Sequence, residues 1–147
     1  MSSKLPLITE IGSINAFQDL LAKNPGLIII KFGATWCGPC KKIEPLIDKW
    51  FDYLPGLVQC CKIDVDKSIE LYGFLKSKRR INGIPAVMCY YQGNLNYIPN
   101  DMIAGADVDQ NNAFFQRCLQ RLDLITADTT ENLAQQSTQE QAPISQP

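Results

Sequence analysis

Apolar residues recur along the chain in two rhythms, and each rhythm predicts an element. Ile14, Phe17, Leu20 and Leu21 fall at helical spacing behind Ser13, a residue suited to cap a helix, and Asn24-Pro25-Gly26 ends the run. Leu27 to Phe32 is an apolar, β-branched stretch of the kind found in a strand covered on both faces, interrupted by Lys31. Residues 40–53 return to helical spacing through Ile43, Leu46, Ile47, Trp50 and Phe51, with Pro45 inside as an expected kink. Pro55-Gly56 breaks that helix, and Leu57 to Val65 predicts a second buried strand.

Further along, Asp66 is expected to cap a helix over about 67–78, which runs into the basic cluster Lys76, Lys78, Arg79 and Arg80. That cluster reads as a solvated helix end, because cations suit a helix C-terminus, rather than as a nucleic-acid patch. Ala86 to Tyr91 predicts a third strand, Gln92-Gly93-Asn94 a hairpin turn, and a returning strand lies within 95–104. Asp109 or a neighbouring Asn opens a last amphipathic helix that buries Phe114, Phe115, Cys118, Leu119 and Leu122. Residues 5–9 read as a short edge strand, since Pro6 lacks a ladder donor. The order predicts an α/β domain with a mixed sheet flanked by helices. From Thr126 the chain turns rich in Gln and Thr with almost nothing to bury, which divides it into a domain over 1–125 and an expected disordered tail over 126–147.

A length of 147 residues, 46% of them apolar, suits one core of ordinary size. Fourteen basic against fifteen acidic side chains leave a net charge of −1, so no global field draws nucleic acid or anionic lipid. The chain has no histidine, which excludes Ser-His-Asp and Cys-His hydrolysis and imidazole metal ligation. The N-terminus carries no apolar segment of signal-peptide length and no run approaches the roughly 20 residues of a membrane helix. A cytoplasmic protein, without membrane or nucleic-acid partners and with a monomer expected, is the resulting reading. Six cysteines in a reducing compartment point to catalysis or metal binding before structural bridges.

Two of those cysteines stand apart. Trp36-Cys37-Gly38-Pro39-Cys40 lies between a buried strand and an amphipathic helix. Cysteines three apart at a helix start share one face, with β-carbons about 5–6 Å apart, and need little adjustment to form a disulfide. The first meets the unpaired N–H groups and positive dipole of the helix tip, which stabilise a thiolate, while the second sits one turn deeper. Cys37 is therefore the expected attacking sulfur and Cys40 the resolving one, with no metal or organic cofactor required. A zinc site would need Cys60 and Cys61 as well, and adjacent strand residues face opposite ways. Cys60, Cys61, Cys89 and Cys118 read as small buried apolar residues.

The stretch Lys31–Lys41 (KFGATWCGPCK) resembles the active-site region of the thioredoxin family. The similarity extends to Pro45, to Lys62-Ile63-Asp64-Val65-Asp66, to Gly83-Ile84-Pro85 and to Gly105-Ala106, and covers roughly residues 5–124. The resemblance implies a thioredoxin fold, Cys37 as nucleophile, Cys40 as resolving thiol and a cis peptide bond before Pro85 beside the two sulfurs. It implies a substrate-binding rim of Trp36, Gly38, Pro39, Ile84, Pro85 and Gly105, with the Ile84 backbone pairing to an extended substrate segment. Gly38-Pro39 is the dipeptide of the family's reducing members. The implied partners are disulfide-containing proteins and an NADPH-linked reductase that recharges the dithiol.

Two departures from the family bear on the chemistry. Lys31 stands where the family has a buried aspartate that helps accept the second thiol's proton, and Lys62 matches the lysine that faces it, so both are expected to modulate the cysteine pKa values. Either Lys31 stays charged near Cys40, favouring thiolate and a more oxidising disulfide, or it threads its ammonium to the surface. Gly33 replaces a frequent tryptophan. The segments 67–83 and 94–105 are each a few residues longer than usual. The activity expected is reduction of protein disulfides through a mixed disulfide. A thioredoxin-fold adaptor with weak or no catalysis, and an oxidase- or isomerase-type member, are the rival readings.

Overall fold

The computed structural model describes residues 4–145, with side chains described through Ala127. A parallel strand pair forms its centre. β1 (Leu27–Gly33) is buried at all seven positions and runs parallel to β2 (Val58–Asp64), with Lys31 opposite Lys62. β3 (Ala86–Tyr91) flanks β1 on its other side, antiparallel, and β4 (Asp101–Ala104) closes the order β2-β1-β3-β4. A parallel pair needs a crossover, and α2 (Gly38–Tyr53) supplies it.

Strand alternation sorts the core into two layers. Ile28, Ile30, Phe32, Cys61, Ile63, Met88 and Tyr90 face Phe17 and Leu21 of α1 (Ile14–Ala22) and Leu71 and Leu75 of α3 (Ile69–Ser77). Leu27, Ile29, Val58, Val87 and Cys89 face Ile43, Ile47 and Phe51 of α2, and Phe114, Phe115, Cys118 and Leu122 of α4 (Val108–Ser145). Lys31 belongs by alternation to this second layer, beneath α2. Cys60 and Cys61 fall on opposite layers, as strand geometry requires.

Several local expectations change. The edge strand expected over 5–9 is one bridge, Ile8 to Cys61, with Ile8 N–H donating to the Cys60 carbonyl and Lys62 N–H donating back to Ile8. Pro6 cannot extend that ladder, because it has no donor. Asp66 does not cap α3. Ser68 occupies the cap position, and its hydroxyl instead accepts from the Ile11 N–H, while the Asp66 carboxylate serves Trp36. The last helix opens earlier than Asp109: the Asp107 carboxylate accepts from Gln110 N–H at 2.9 Å. Ser13 caps α1 as expected, accepting from Ala16 N–H at 3.0 Å.

α3 ends in a pair of reversed bonds, Arg80 N–H to the Leu75 carbonyl and Arg79 N–H to that of Lys76, with Arg79 at φ 58° where glycine is the usual occupant. The basic run is thus a helix terminus, and the Lys78 ammonium lies over the Phe74 and Tyr97 rings at 5.8 and 5.9 Å. The backbone of α4 continues to Ser145, through the segment whose composition argues for disorder. Leu133 to Gln136 and Gln139 to Ala142 are good helix formers, so a stretch with little to bury still has helical propensity. Among the residues whose side chains are described, α4 reaches the core through Phe114, Phe115, Cys118 and Leu122, with Ile125 partly buried against it. No helix among the described residues is long and apolar enough to cross a membrane.

Candidate active site

The end of β1 and the start of α2 create the site. After Gly33 the chain turns, with Cys37 N–H donating to the Ala34 carbonyl, and enters α2 at once. Cys37 is the N-cap residue, in extended conformation, and the Cys40 N–H points at its sulfur at 3.2 Å. The Cys37 carbonyl accepts the first helical bond, from Lys41 N–H. Pro39 has no N–H to satisfy and its fixed φ suits the first turn. Cys37 therefore sits where unpaired donors and the helix dipole favour negative charge on sulfur.

Cys37 and Cys40 are joined as a disulfide with Cα atoms 5.3 Å apart. They are 5% and 2% exposed. Across from them the Ile84–Pro85 bond is cis, and the Ile84 carbonyl lies 3.8 Å from the Cys37 sulfur. The Pro85 carbonyl accepts from Gly105 N–H at 2.8 Å, and the Gly105 carbonyl accepts from the Asn111 amide at 3.1 Å. Gly105, at φ 94°, thus has both backbone groups engaged within the chain and braces the proline from behind. No hydrogen bond between described residues uses the Ile84 N–H. Ile81, Gly83, Ile84, Pro85, Met102 and Gly105 border a shallow groove of about 270 Å³. Trp36 is 67% exposed on the rim, its indole N–H held by Asp66 at 2.7 Å. Of the expected site residues, Trp36 to Cys40, Ile84, Pro85 and Gly105 surround the two sulfurs or the adjoining groove.

The two lysines separate. Lys62 turns to α2 and forms ion pairs with Glu44 and Asp48, both at 2.9 Å. These carboxylates are one helical turn apart and converge on one ammonium. Burial lowers the Lys62 pKa, and the Glu44 and Asp48 contacts more than offset it, so the net direction is upward. The Lys62 hydrogen bond, followed by the Lys31 charge, holds Glu44 below its ordinary value. Lys31 is 6% exposed and does not thread out to the surface. Its tip ends beside Gly33, in a cavity that Cys40 also lines. Burial lowers its pKa first; Glu44 and Asp48 oppose that shift, and Lys62 adds to it.

Glu44 and Asp48 are functional neighbours that sequence reasoning misses. Their signal is two carboxylates four apart on a helix whose other face is apolar, but the cation they meet comes from a strand across the layer. Three of the remaining thiols are held in the protonated form. Burial pushes Cys60 up to about 12 and Cys61 further, and the Cys118 contact followed by burial raises Cys89. Among the described residues no group of His, Cys, Asp and Glu is arranged to hold a metal ion. The site can exchange a dithiol for a disulfide, with one sulfur at the helix tip and the other one turn further in.

Comparison with known proteins agrees with this geometry. The thioredoxin family model matches residues 9–117. Thioredoxin of Pseudomonas aeruginosa is 31% identical over 88 residues, covering 60% of this chain and 77% of that protein. Thioredoxin-1 of Saccharomyces cerevisiae is 30% identical over 87 residues, covering 59% and 79%. The crystal structure of Malassezia sympodialis thioredoxin superposes with a TM-score of 0.59 at 27% identity, covering 78% of this chain and 95% of that one. On the match of sequence, fold and cysteine pair together, this chain belongs to the thioredoxin family of thiol–disulfide oxidoreductases.

Proposed function

We propose that the chain reduces disulfides in protein substrates. The Cys37 thiolate attacks one substrate sulfur, a Cys37–substrate disulfide forms, and the second substrate sulfur leaves as a thiolate. Cys40 then attacks Cys37, closing the Cys37–Cys40 disulfide and releasing the first substrate sulfur. Two electrons pass to the substrate, and an NADPH-linked reductase returns them to the disulfide. The single observation that carries this reading is the placement of Cys37 at the α2 cap, bonded to Cys40 behind it and 3.8 Å from the Ile84 carbonyl. The unengaged Ile84 N–H supports pairing with an extended substrate segment beside the attacking sulfur. A reducing cytosol is the compartment in which such a dithiol is useful.

Lys31 beside Cys40 favours a second reading, in which the disulfide is more oxidising and net flow runs toward substrate oxidation. The test is turnover of insulin disulfides with dithiothreitol as electron source, beside a reduced, unfolded substrate given the oxidised protein. Reduction well above the dithiothreitol background is the expected result. Absence of turnover in both directions would favour a thioredoxin-fold adaptor, and efficient oxidation alone would favour the second reading.

A further inference from the structure

We propose that Lys31 is the base that takes the proton from Cys40, converting the buried resolving thiol into the nucleophile that releases substrate. The inference rests on the dithiol-exchange reading above and supplies the proton acceptor which that reading leaves open.

Position comes first. Lys31 lies on the layer that α2 covers, and Gly33, two residues on, points the same way. A β-carbon at Gly33 would stand 3.3 Å from Lys31 Cε, 3.4 Å from Lys31 Nζ and 3.5 Å from Cys40 Sγ. The amine and the sulfur thus border the same small space over Gly33, near enough for a proton to pass directly or through one water. A side chain longer than a methyl at Gly33 would compete with both groups for that space. The space opens into a cavity of about 340 Å³, lined by Lys31, Gly33, Cys40, Glu44 and Lys62 among others, which gives a polar route for a proton to and from solvent.

Electrostatics comes second. The Lys31 amine has no hydrogen bond or ion pair with another described residue. The groups that face it are Cys40, Lys41, Glu44 and Asp48 from α2, and Lys62 and Asp64 from β2. Its natural counter-ions are Glu44 and Asp48, and Lys62 holds both. A buried cation without a close counter-ion is costly, so the amine favours its neutral form more than an exposed lysine does. Its lowered pKa brings it toward that of a thiol, the condition for a proton to pass between them. The charged pair is then favourable only when its partner is a thiolate.

The step balances. Cys40–SH and Lys31–NH2 give Cys40–S⁻ and Lys31–NH3⁺. The thiolate attacks the Cys37 sulfur, the Cys37–Cys40 bond forms, and the Cys37–substrate bond breaks with the electron pair leaving on the substrate sulfur. With no anion left beside it, the ammonium returns its proton through the cavity to solvent or to the departing thiolate. Amine and thiol titrate as a pair that shares one proton.

The experiment uses the full chain in two backgrounds. In Cys37→Ser, the pH dependence of Cys40 alkylation is followed by mass spectrometry with Lys31 intact and with Lys31→Met. In the Cys37-intact chain, single-turnover kinetics separate attack on a disulfide substrate from resolution, for Lys31, Lys31→Met and Lys31→Asp. Lys31→Met is expected to raise the Cys40 midpoint by about one unit or more and to slow resolution about tenfold or more near neutral pH, with the attack step unchanged. Lys31→Asp is expected to recover resolution relative to Met, although its negative charge raises the Cys40 midpoint further. An unaltered Cys40 midpoint and resolution rate in Lys31→Met would overturn the proposal. Failure of Lys31→Asp to recover resolution would overturn it too, since Lys31 would then act by charge alone. Failure of the dithiol-exchange reading shows separately, as absence of any mixed disulfide in the unmodified chain, while the Cys37→Ser titration still reads the amine.

Discussion

Replacing Cys40 with serine is expected to convert the protein into a trap: a covalent complex with a disulfide substrate accumulates through Cys37 and is discharged only by external thiol. Replacing Cys37 with serine is expected to yield no such complex. Either change lowers disulfide turnover by at least about a thousandfold, because resolution draws on the effective concentration of a neighbouring thiol, on the order of 10⁵ M or more for well-placed groups. The asymmetry follows from the fold. Cys37 occupies the α2 cap beside Ile84 and the groove, whereas Cys40 lies one turn further into α2, bordering the cavity that holds Lys31. An incoming substrate reaches the first sulfur, and only the first sulfur reaches the second. Non-reducing electrophoresis and peptide mass mapping check the outcome, and a complex through Cys40 in the Cys37→Ser chain would reverse the assignment.

The largest stability effect is expected at Phe115. Its ring is fully buried and meets three others: Trp50 stacked at 5.3 Å, Phe114 edge-on at 5.1 Å and Phe51 edge-on at 6.1 Å. Two of these partners belong to α2, so Phe115 is the main side chain fastening α4 to the helix that carries both cysteines. Trp50 adds a hydrogen bond across the same seam, donating to the Asn112 side chain at 2.8 Å. Phe115→Ala removes a fully buried ring together with its three ring contacts, which costs about 3–5 kcal/mol. Against a total of about 5–15 kcal/mol, that loss is a large fraction of the domain's stability. A urea titration reads it as a large fall in midpoint at constant slope. A change under about 1 kcal/mol would mean that the α2–α4 seam is not a main support of the site.

Much of this arrangement is legible in the amino-acid sequence, for identifiable reasons. The apolar run of β1, the spacing of α2 and the cysteine pair between them are local signals, and a parallel strand with a helical crossover has few other ways to fold. The cis geometry at Pro85 came from family resemblance, since no periodicity distinguishes cis from trans. Local capping was read less well where tertiary contacts compete: Asp66 is a good cap by type, but the Trp36 indole claims its carboxylate. Beyond Thr126 composition argues for disorder while the backbone runs on as α4; lack of core residues and lack of helical propensity are different properties. Lys31 and Gly33 were each visible as departures, yet their connection was not. Their shared gap beside Cys40, and the capture of Lys62 by Glu44 and Asp48, exist only once α2 is laid across β1 and β2.

The account as a whole depends on Cys37 being ionised at neutral pH by its place at the end of α2. The most direct measurement is the pH dependence of alkylation in the fully reduced chain, with the modified residue identified by mass. Cys37 is expected to react first, faster than a free cysteine at neutral pH, and with a midpoint below the ordinary thiol value of about 8.5. Alkylation of Cys37 and Cys40 at equal rates, neither exceeding that of free cysteine, would contradict the account.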